Sequence, residues 1–211
     1  MLDFETISIN PKTTQPIQLA AVMIDGRRLE IISEFVSYIK PVTDKDEQIK
    51  LGLDDIQEDA LRKNKITETQ FMNAPDAKTV WALFSDWVNQ YNYKKDRWFS
   101  PIKAGYNNNN FDDIIVDRLC CRKPYNFGPV EKKYDREGLF HPIHNIDLMK
   151  IMFQWFENDY SVKSLSFDSL RNYLGMDDTK SHDALFDSKQ AAELLIRMLK
   201  LTRNFSKKVK F

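Results

Sequence analysis

The stretch Gly105-Tyr106-Asn107-Asn108-Asn109-Asn110-Phe111-Asp112-Asp113, continuing into Ile114-Ile115-Val116-Asp117-Arg118-Leu119-Cys120-Cys121-Arg122, changes its hydrophobic period partway along. Ile102 to Tyr106 reads as a short strand, the asparagines as a polar loop, and Phe111 to Arg122 as a helix. Residues three, four and seven apart share a helix face. Asp112 therefore falls beside Ile115, Val116 and Leu119 on the inward face, whereas Asp113 falls beside Asp117 on a polar one. A carboxylate held against an apolar face costs free energy unless it is paired or coordinates a cation. Asp112 is thus the candidate functional acid, and Asp113 reads as an ordinary N-terminal acid favoured by the helix dipole. The asparagine run is either a plain polar loop or a source of amides that orient the acid or its waters, with Asn108 best placed for the second role.

Two further acidic clusters lie far away along the chain. In Leu2-Asp3-Phe4-Glu5-Thr6, read as an extended strand, residues i and i+2 share a face, so Asp3 and Glu5 stand side by side while Phe4 enters the core opposite; taken alone, the two acids are either an active-site pair or a solvent-facing pair on an edge strand. In Ser181-His182-Asp183-Ala184-Leu185-Phe186-Asp187, a helix from about Ala184 to Lys200 aligns Asp187 with Ala191, Leu194 and Met198. Lys189, Glu193, Arg197 and Lys200 take the solvated side. Again an acid occupies a core-like position. His182 precedes that helix and, taken alone, would cap it or lie on the surface; beside Asp187 and the other acids it reads as a catalytic residue, histidine being the side chain most readily used as a base near neutral pH. Three inward acidic clusters with one histidine describe a metal-dependent nuclease.

The segments between these clusters form an α/β pattern. Ile17 to Ile24 is almost continuously apolar, as a strand buried on both faces should be, and Leu29 to Ile39 follows a turn at Asp25-Gly26 to make an antiparallel hairpin. Asp54 to Lys63 and Asp76 to Tyr91 read as helices, the second with Val80, Phe84, Trp87 and Tyr91 on its core face. Lys123 to Asn145, with Pro124, Gly128, Pro129, Gly138 and Pro142, reads as an irregular insertion. Ile146 to Phe156 and Phe167 to Leu174 read as helices. A chain of 211 residues, 42% hydrophobic and 12% aromatic, is long enough to bury a full core as one domain.

Charge and cysteine usage are less specific. The formal net charge is zero, so the global balance does not advertise a polyanionic partner. Its distribution is uneven: Arg197, Lys200, Arg203, Lys207, Lys208 and Lys210 form a basic C-terminal stretch that either binds phosphates or is simply solvated. No apolar run has the length of a transmembrane helix, and no basic-then-apolar signal peptide opens the chain. Cys120 and Cys121 are adjacent, which rules out an ordinary loop-closing disulfide between them and points to a reducing, cytoplasmic setting.

The Asp-x-Glu at Asp3, the Asn-x-x-Phe-Asp ending at Asp112 and the His-x-Ala-x-x-Asp from His182 to Asp187 resemble the three motifs of the DEDDh family of 3′–5′ exonucleases. The stretch Gly105 to Asp113, together with Ser166-Phe167 and His182-Asp183-Ala184, is similar to the catalytic domains of the exonuclease I type. That resemblance spans nearly the whole chain and implies a ribonuclease H-like fold, a mixed five-stranded sheet flanked by helices. It also implies two divalent cations, magnesium with manganese as a substitute. Carried over by motif position, Asp3, Glu5, Asp112 and Asp187 would be the metal carboxylates and His182 the general base. Two such ions about 3.5–4 Å apart clamp the attacking and leaving oxygens of a phosphoryl displacement.

The candidate substrate contacts are Thr6, Leu51, Tyr106 and Asn108. Leu51-Gly52-Leu53 resembles a family loop that packs on the 3′-terminal base, or else forms a hydrophobic staple leading the helix at Asp54. Tyr106 stacks on a base or is a strand-end core residue. The sequence departs from the family pattern in three places: only Met1 and Leu2 precede Asp3, Ile7 stands where many relatives have glycine, and the chain stops near residue 211, which puts processivity in doubt. The expected substrate is single-stranded nucleic acid, DNA favoured over RNA, without a membrane partner. The alternatives are an exoribonuclease on short RNA and a catalytically idle nucleic-acid-binding module.

Overall fold

Strand β2, Pro16–Asp25, is buried along its first seven residues, Pro16 to Val22, as its unbroken apolar run requires. In the computed structural model, which describes residues 1–127 and 139–208, it is the middle strand of an antiparallel ladder between β1, Leu2–Thr6, and β3, Glu30–Tyr38. The register sets Leu2 opposite Ala21 and Phe4 opposite Leu19. β3 is an edge strand, and its alternating exposure marks one face turned to water. Its turn at Asp25-Gly26 forms as expected, closed by the Asp25 side chain accepting from the backbone of Arg27 and Arg28.

The period-two alternation of β1 decides which side of the sheet is chemical. Leu2 and Phe4 join Leu19 and Ala21 in a core closed by α4, Ala77–Asn89, through Val80, Trp81 and Phe84. The same core takes Ile115, Val116 and Leu119 from α5, Asp112–Cys121. Asp3 and Glu5 therefore face the opposite side, which α8, Ala184–Lys208, covers. Gln18 Oε1 accepts from the Ala184 backbone N–H at 3.2 Å, and Ser188 Oγ donates to Ala20 O at 3.4 Å, fixing the start of α8 on β2. Farther along, Arg203 donates to the Gly26 and Arg27 carbonyls, so one charge of the basic stretch is bound to the hairpin turn. The side chains of the last residues of that stretch, Lys207, Lys208 and Lys210, lie outside the described residues.

The remaining strands are β4, Lys103–Gly105, and β5, Asn145–Asp147, which pair in parallel. Among the described residues the mixed α/β fold has five strands, divided between a three-stranded and a two-stranded ladder. β4 lies against β1 at Gly105, where an added Cβ would meet Asn108 Cβ at 2.6 Å and Leu2 O at 3.4 Å. The glycine is needed for this close approach.

Several boundaries differ from the sequence reading. The helix expected over Asp54 to Lys63 is the shorter α2, Glu58–Asn64. Before it stands α1, Lys45–Leu51, capped by Asp44 at one end and by Gly52, at φ 66°, at the other. Leu51 therefore ends a helix and does not lead one, and Leu53 is buried behind it. A one-and-a-half-turn helix α3, Glu68–Met72, carries a capping box between Thr67 and Gln70. The expected helix over Ile146 to Phe156 is divided: β5 takes its first residues, and α6, Leu148–Phe156, starts where the Asp147 carboxylate accepts from Met149 N. The helix α7, Phe167–Leu174, has the expected bounds. Most of the central part of the irregular insertion, residues 128–138, lies outside the described residues.

Candidate active site

Four carboxylates from three elements converge above β1. Asp112 opens α5, is 4% exposed, and accepts from the Phe4 backbone N–H at 3.2 Å through Oδ1, which ties the helix to the strand between Asp3 and Glu5. Glu5 is buried and Asp3 half-buried. Asp187 sits in the first turn of α8, where Oδ2 accepts from the His182 backbone N–H at 3.3 Å. Donor atoms of Glu5, His182 and Asp187 all lie within 4.8 Å of one another, a spacing that suits a shared cation.

The electrostatics of this cluster follow from burial and like charge. Burial, then the Asp187 and Asp112 carboxylates, push Glu5 up to about 8, against the pull of Lys63. Asp112 rises to about 7, mainly through burial, with the Phe4 N–H opposing. Asp187 rises to about 6 by burial, opposed first by Arg171. Asp3 is held well above the usual carboxylate range by burial and by Asp112, Glu5 and Asp187. Such a set cannot be fully ionised near neutrality without added positive charge. Hard oxygen donors of this kind fit magnesium, manganese or calcium better than soft metals. The donor set and its unmet negative charge therefore fit a divalent ion.

His182 does not hang free in its loop. Its backbone is left-handed, with φ 67°, and Nε2 lies 3.7 Å from Asp168 Oδ2. Burial lowers its pKa from the usual histidine value, partly offset by Asp168. Asp183 supplies the cap of α8, accepting from Phe186 N at 2.9 Å, so the adjacent histidine is spared that duty.

The other sequence candidates are spread around this centre. Thr6 is buried, its hydroxyl donating to Ser8 O at 2.8 Å and its carbonyl accepting from Asn64. Leu51 lies at the end of α1. Tyr106 takes up strand-end packing: its hydroxyl donates to Leu165 O at 2.6 Å and its ring stacks on Phe167 at 4.6 Å. Asn108 is fully buried, and its amide donates to Asp113 Oδ1 at 3.1 Å and to Asn145 Oδ1 at 2.9 Å. It thus orients Asp113, the neighbour of the acid it was expected to serve.

Asp113 itself departs from the sequence reading. Its side chain is only 17% exposed, because buried Lys103 pairs with it at 3.0 Å and Asn145 Nδ2 donates to it at 2.5 Å. Lys103 and Asn145 arrive on β4 and β5, which no local pattern around α5 announces.

Two residues of the site escaped sequence reasoning. Arg171 of α7, 1% exposed, meets Asp187 Oδ1 at 2.5 Å and Asp168 Oδ1 at 3.0 Å. The signal was present: Phe167, Leu170, Arg171 and Leu174 form an i, i+3, i+4, i+7 stripe with a charge in it, the same test that singled out Asp112 and Asp187. Lys65, just past α2, donates to Ser181 O at 3.5 Å and brings a cation to the rim of the loop ahead of His182.

With this geometry in hand, comparison with known proteins is specific. The family model described as Exonuclease matches residues 1–111. The DNA polymerase III PolC-type of Staphylococcus haemolyticus (strain JCSC1435) is 24% identical over 202 residues, 94% of this chain but only 11% of that protein. Among solved structures, E. coli exonuclease I in complex with a dT13 oligonucleotide superposes with a TM-score of 0.67 at 22% identity, over 98% of this chain and 41% of that one. Cell-death related nuclease 4 gives 0.66 at 17% identity, over 95% of this chain and 62% of that one. This chain therefore spans less than two thirds of each of these relatives. These structural likenesses establish the fold, and no helix among the described residues is long and apolar enough to cross a membrane. With more than half of its length matched by the family model, the chain belongs to the exonuclease family.

Proposed function

We propose that the protein is a 3′–5′ exonuclease that releases nucleoside monophosphates from single-stranded DNA, with residues 1–211 acting as one exonuclease domain. The observation that carries this reading is the convergence of Asp3, Glu5, Asp112 and Asp187 with the His182 side chain beside Glu5 and Asp187. The four carboxylates would hold two magnesium or manganese ions. Bound there, the ions supply Lewis-acid activation of water and charge stabilisation at the phosphorus and the leaving 3′ oxygen.

The chain's own residues do the rest. His182, with its pKa lowered by burial, is neutral near pH 7 and takes the proton of the attacking water. The Phe4 N–H fixes one oxygen of Asp112, and the His182 N–H fixes one of Asp187, so both carboxylates keep their orientation without relying on ligand binding. Lys63 and Lys65 lie near this acidic site and favour the approach of a polyanion. Thr6, Leu51, Tyr106 and Asn108 are proposed to shape the surroundings of the terminal nucleotide, Asn108 and Tyr106 through packing and not through direct contact.

The test is a time course on 5′-labelled single-stranded DNA, duplex DNA and RNA with magnesium, manganese or chelator. Stepwise shortening from the 3′ end, fastest on single-stranded DNA and absent with chelator, is the expected result. Faster digestion of RNA would assign the enzyme to short RNA, and no turnover with any metal would make it a binding module.

A further inference from the structure

Among the charged side chains of the described residues, Arg171 stands out because its burial is nearly complete while its partners are unequal. One guanidinium nitrogen meets Asp187, a carboxylate of the site, at 2.5 Å, and the other meets Asp168, whose side chain is 54% exposed, at 3.0 Å. The guanidinium also lies 4.0 Å from the centre of the Phe167 ring, which in turn stacks on Tyr106. Only the nitrogen facing Asp168 donates a hydrogen bond; Nε, the nitrogen facing Asp187 and that Asp187 oxygen are buried without hydrogen-bond geometry among the described residues, so the contact with Asp187 is ionic. Burying a guanidinium in this way is costly unless the pairs it makes are well formed. Asp168 in turn faces His182 Nε2 at 3.7 Å, and the His182 backbone N–H reaches Asp187 Oδ2. Asp187, Arg171, Asp168 and His182 thus close a ring that joins α7 to the start of α8.

We propose that Arg171 is a positioning residue that clamps one oxygen of Asp187 so that the other is presented to the site, acting as a built-in cation at a carboxylate that also serves a metal ion. The inference rests on the functional reading above. A guanidinium packed on a ring face, hydrogen-bonded to Asp168 and in ionic contact with Asp187, has little freedom to move. It fixes Asp187 from the side of α7, whereas the His182 N–H fixes it from the loop. The cost of this arrangement is electrostatic: a fixed positive charge in contact with Asp187 opposes a divalent ion at the same group. Arg171 therefore raises turnover through geometry while weakening metal affinity through charge, two effects of opposite sign.

That opposition distinguishes positioning from mere support of the fold. In Arg171→Met, Mn²⁺ bound to the metal-free protein, followed by electron paramagnetic resonance without substrate, should bind about 3–10-fold more tightly. The turnover number on a single-stranded oligonucleotide should fall about 10–100-fold with little change in KM. Arg171→Lys, which keeps the charge and loses the fork, should leave Mn²⁺ affinity within about twofold and still slow turnover. Asp168→Ala, which removes the one carboxylate hydrogen-bonded to Arg171, should slow turnover about 3–10-fold without tightening metal binding. Arg171→Met with unchanged or weaker Mn²⁺ affinity, or with wild-type turnover, overturns the proposal. If Arg171→Met does not fold, unchanged turnover in both Arg171→Lys and Asp168→Ala overturns it. A wild-type protein that binds Mn²⁺ but hydrolyses nothing sinks the functional reading, and the metal-affinity comparison then still decides whether Arg171 opposes the ion at Asp187.

Discussion

The start of α5 and the junction of α7 with α8 both deliver a carboxylate to the same centre, yet they are built differently. At α5, Asp112 is held by a backbone N–H of β1, and its neighbour Asp113 is embedded in Lys103, Asn108 and Asn145, brought in by β4, β5 and the connecting turn. At α7–α8, Asp187 meets the Arg171 side chain of another helix and the backbone N–H of a left-handed residue, with partly exposed His182 and exposed Asp168 at the rim. Apart from Asp112, the polar groups of the first region are paired with one another as a frame. The second keeps charged groups close to solvent, as the proposed role of His182 as a base requires. The two sides thus hold their carboxylates by different means, one through a strand N–H and the other through a buried guanidinium.

The largest effect expected from this contrast is at Asp112. Asp112→Ala should reduce turnover about 10³-fold or more, as loss of an essential electrostatic group does, while circular dichroism shows a folded protein. Retained activity would move the chemistry away from the frame. His182→Ala should cut turnover about 10²–10⁴-fold, the range for a general base, with a much smaller change in substrate binding. The wild-type rate should rise with pH through the histidine titration, because only the neutral ring accepts a proton, and that limb should be missing in the variant. Equal losses of binding and turnover would make His182 a structural part of the α7–α8 junction.

Removing metal should reveal the charge crowding directly. Glu5, Asp112 and Asp187 have folded-state values of about 8, 7 and 6, all above the unfolded carboxylate values near 4. The folded metal-free protein therefore binds more protons than the unfolded chain between about pH 4 and 8, and its stability should fall as pH rises across that window. Magnesium or manganese should offset the loss most at the upper end, so calorimetry with chelator and with metal should diverge from pH 6 to 8. Parallel curves would mean that the cluster does not hold the ion. Activity should likewise vanish with chelator, and zinc should be a poor substitute in this oxygen-rich set.

The smallest effect concerns Asp113, and it sharpens the contrast by separating fold from chemistry. Asp113→Ala should cost about 2–3 kcal/mol of stability, because buried Lys103 and the two asparagine amides lose their common acceptor. In the fraction that stays folded, turnover should remain within about tenfold of wild type, far less affected than in Asp112→Ala. Chemical denaturation beside a rate measurement gives both numbers. Loss of all turnover in a folded variant would erase the distinction between the two aspartates.

Local periodicity was enough to place Asp3 and Glu5 on one face of a strand, and Asp112 and Asp187 on inward helix faces, because strand and helix geometry act over a few residues. The same rule explains why β2, with its continuous apolar run, is the buried middle strand and why the aromatic face of α4 is core. It did not reveal α1, although Asp44 and Gly52 were available as caps, since the acidic run around them carries little hydrophobic signal. Nor could it assign Asp113, whose environment is made by Lys103 and Asn145 on strands that pair across 42 residues of sequence. The sequence by itself determined that Asp112 and Asp187 lie on inward helix faces and which motifs bear the family resemblance. Only the tertiary structure decided what meets them, the Lys103–Asp113 pair on one side and the Arg171–Asp187 clamp on the other. Contacts of that kind depend on how separate elements pack, and side-chain periodicity within one element carries no information about its neighbour.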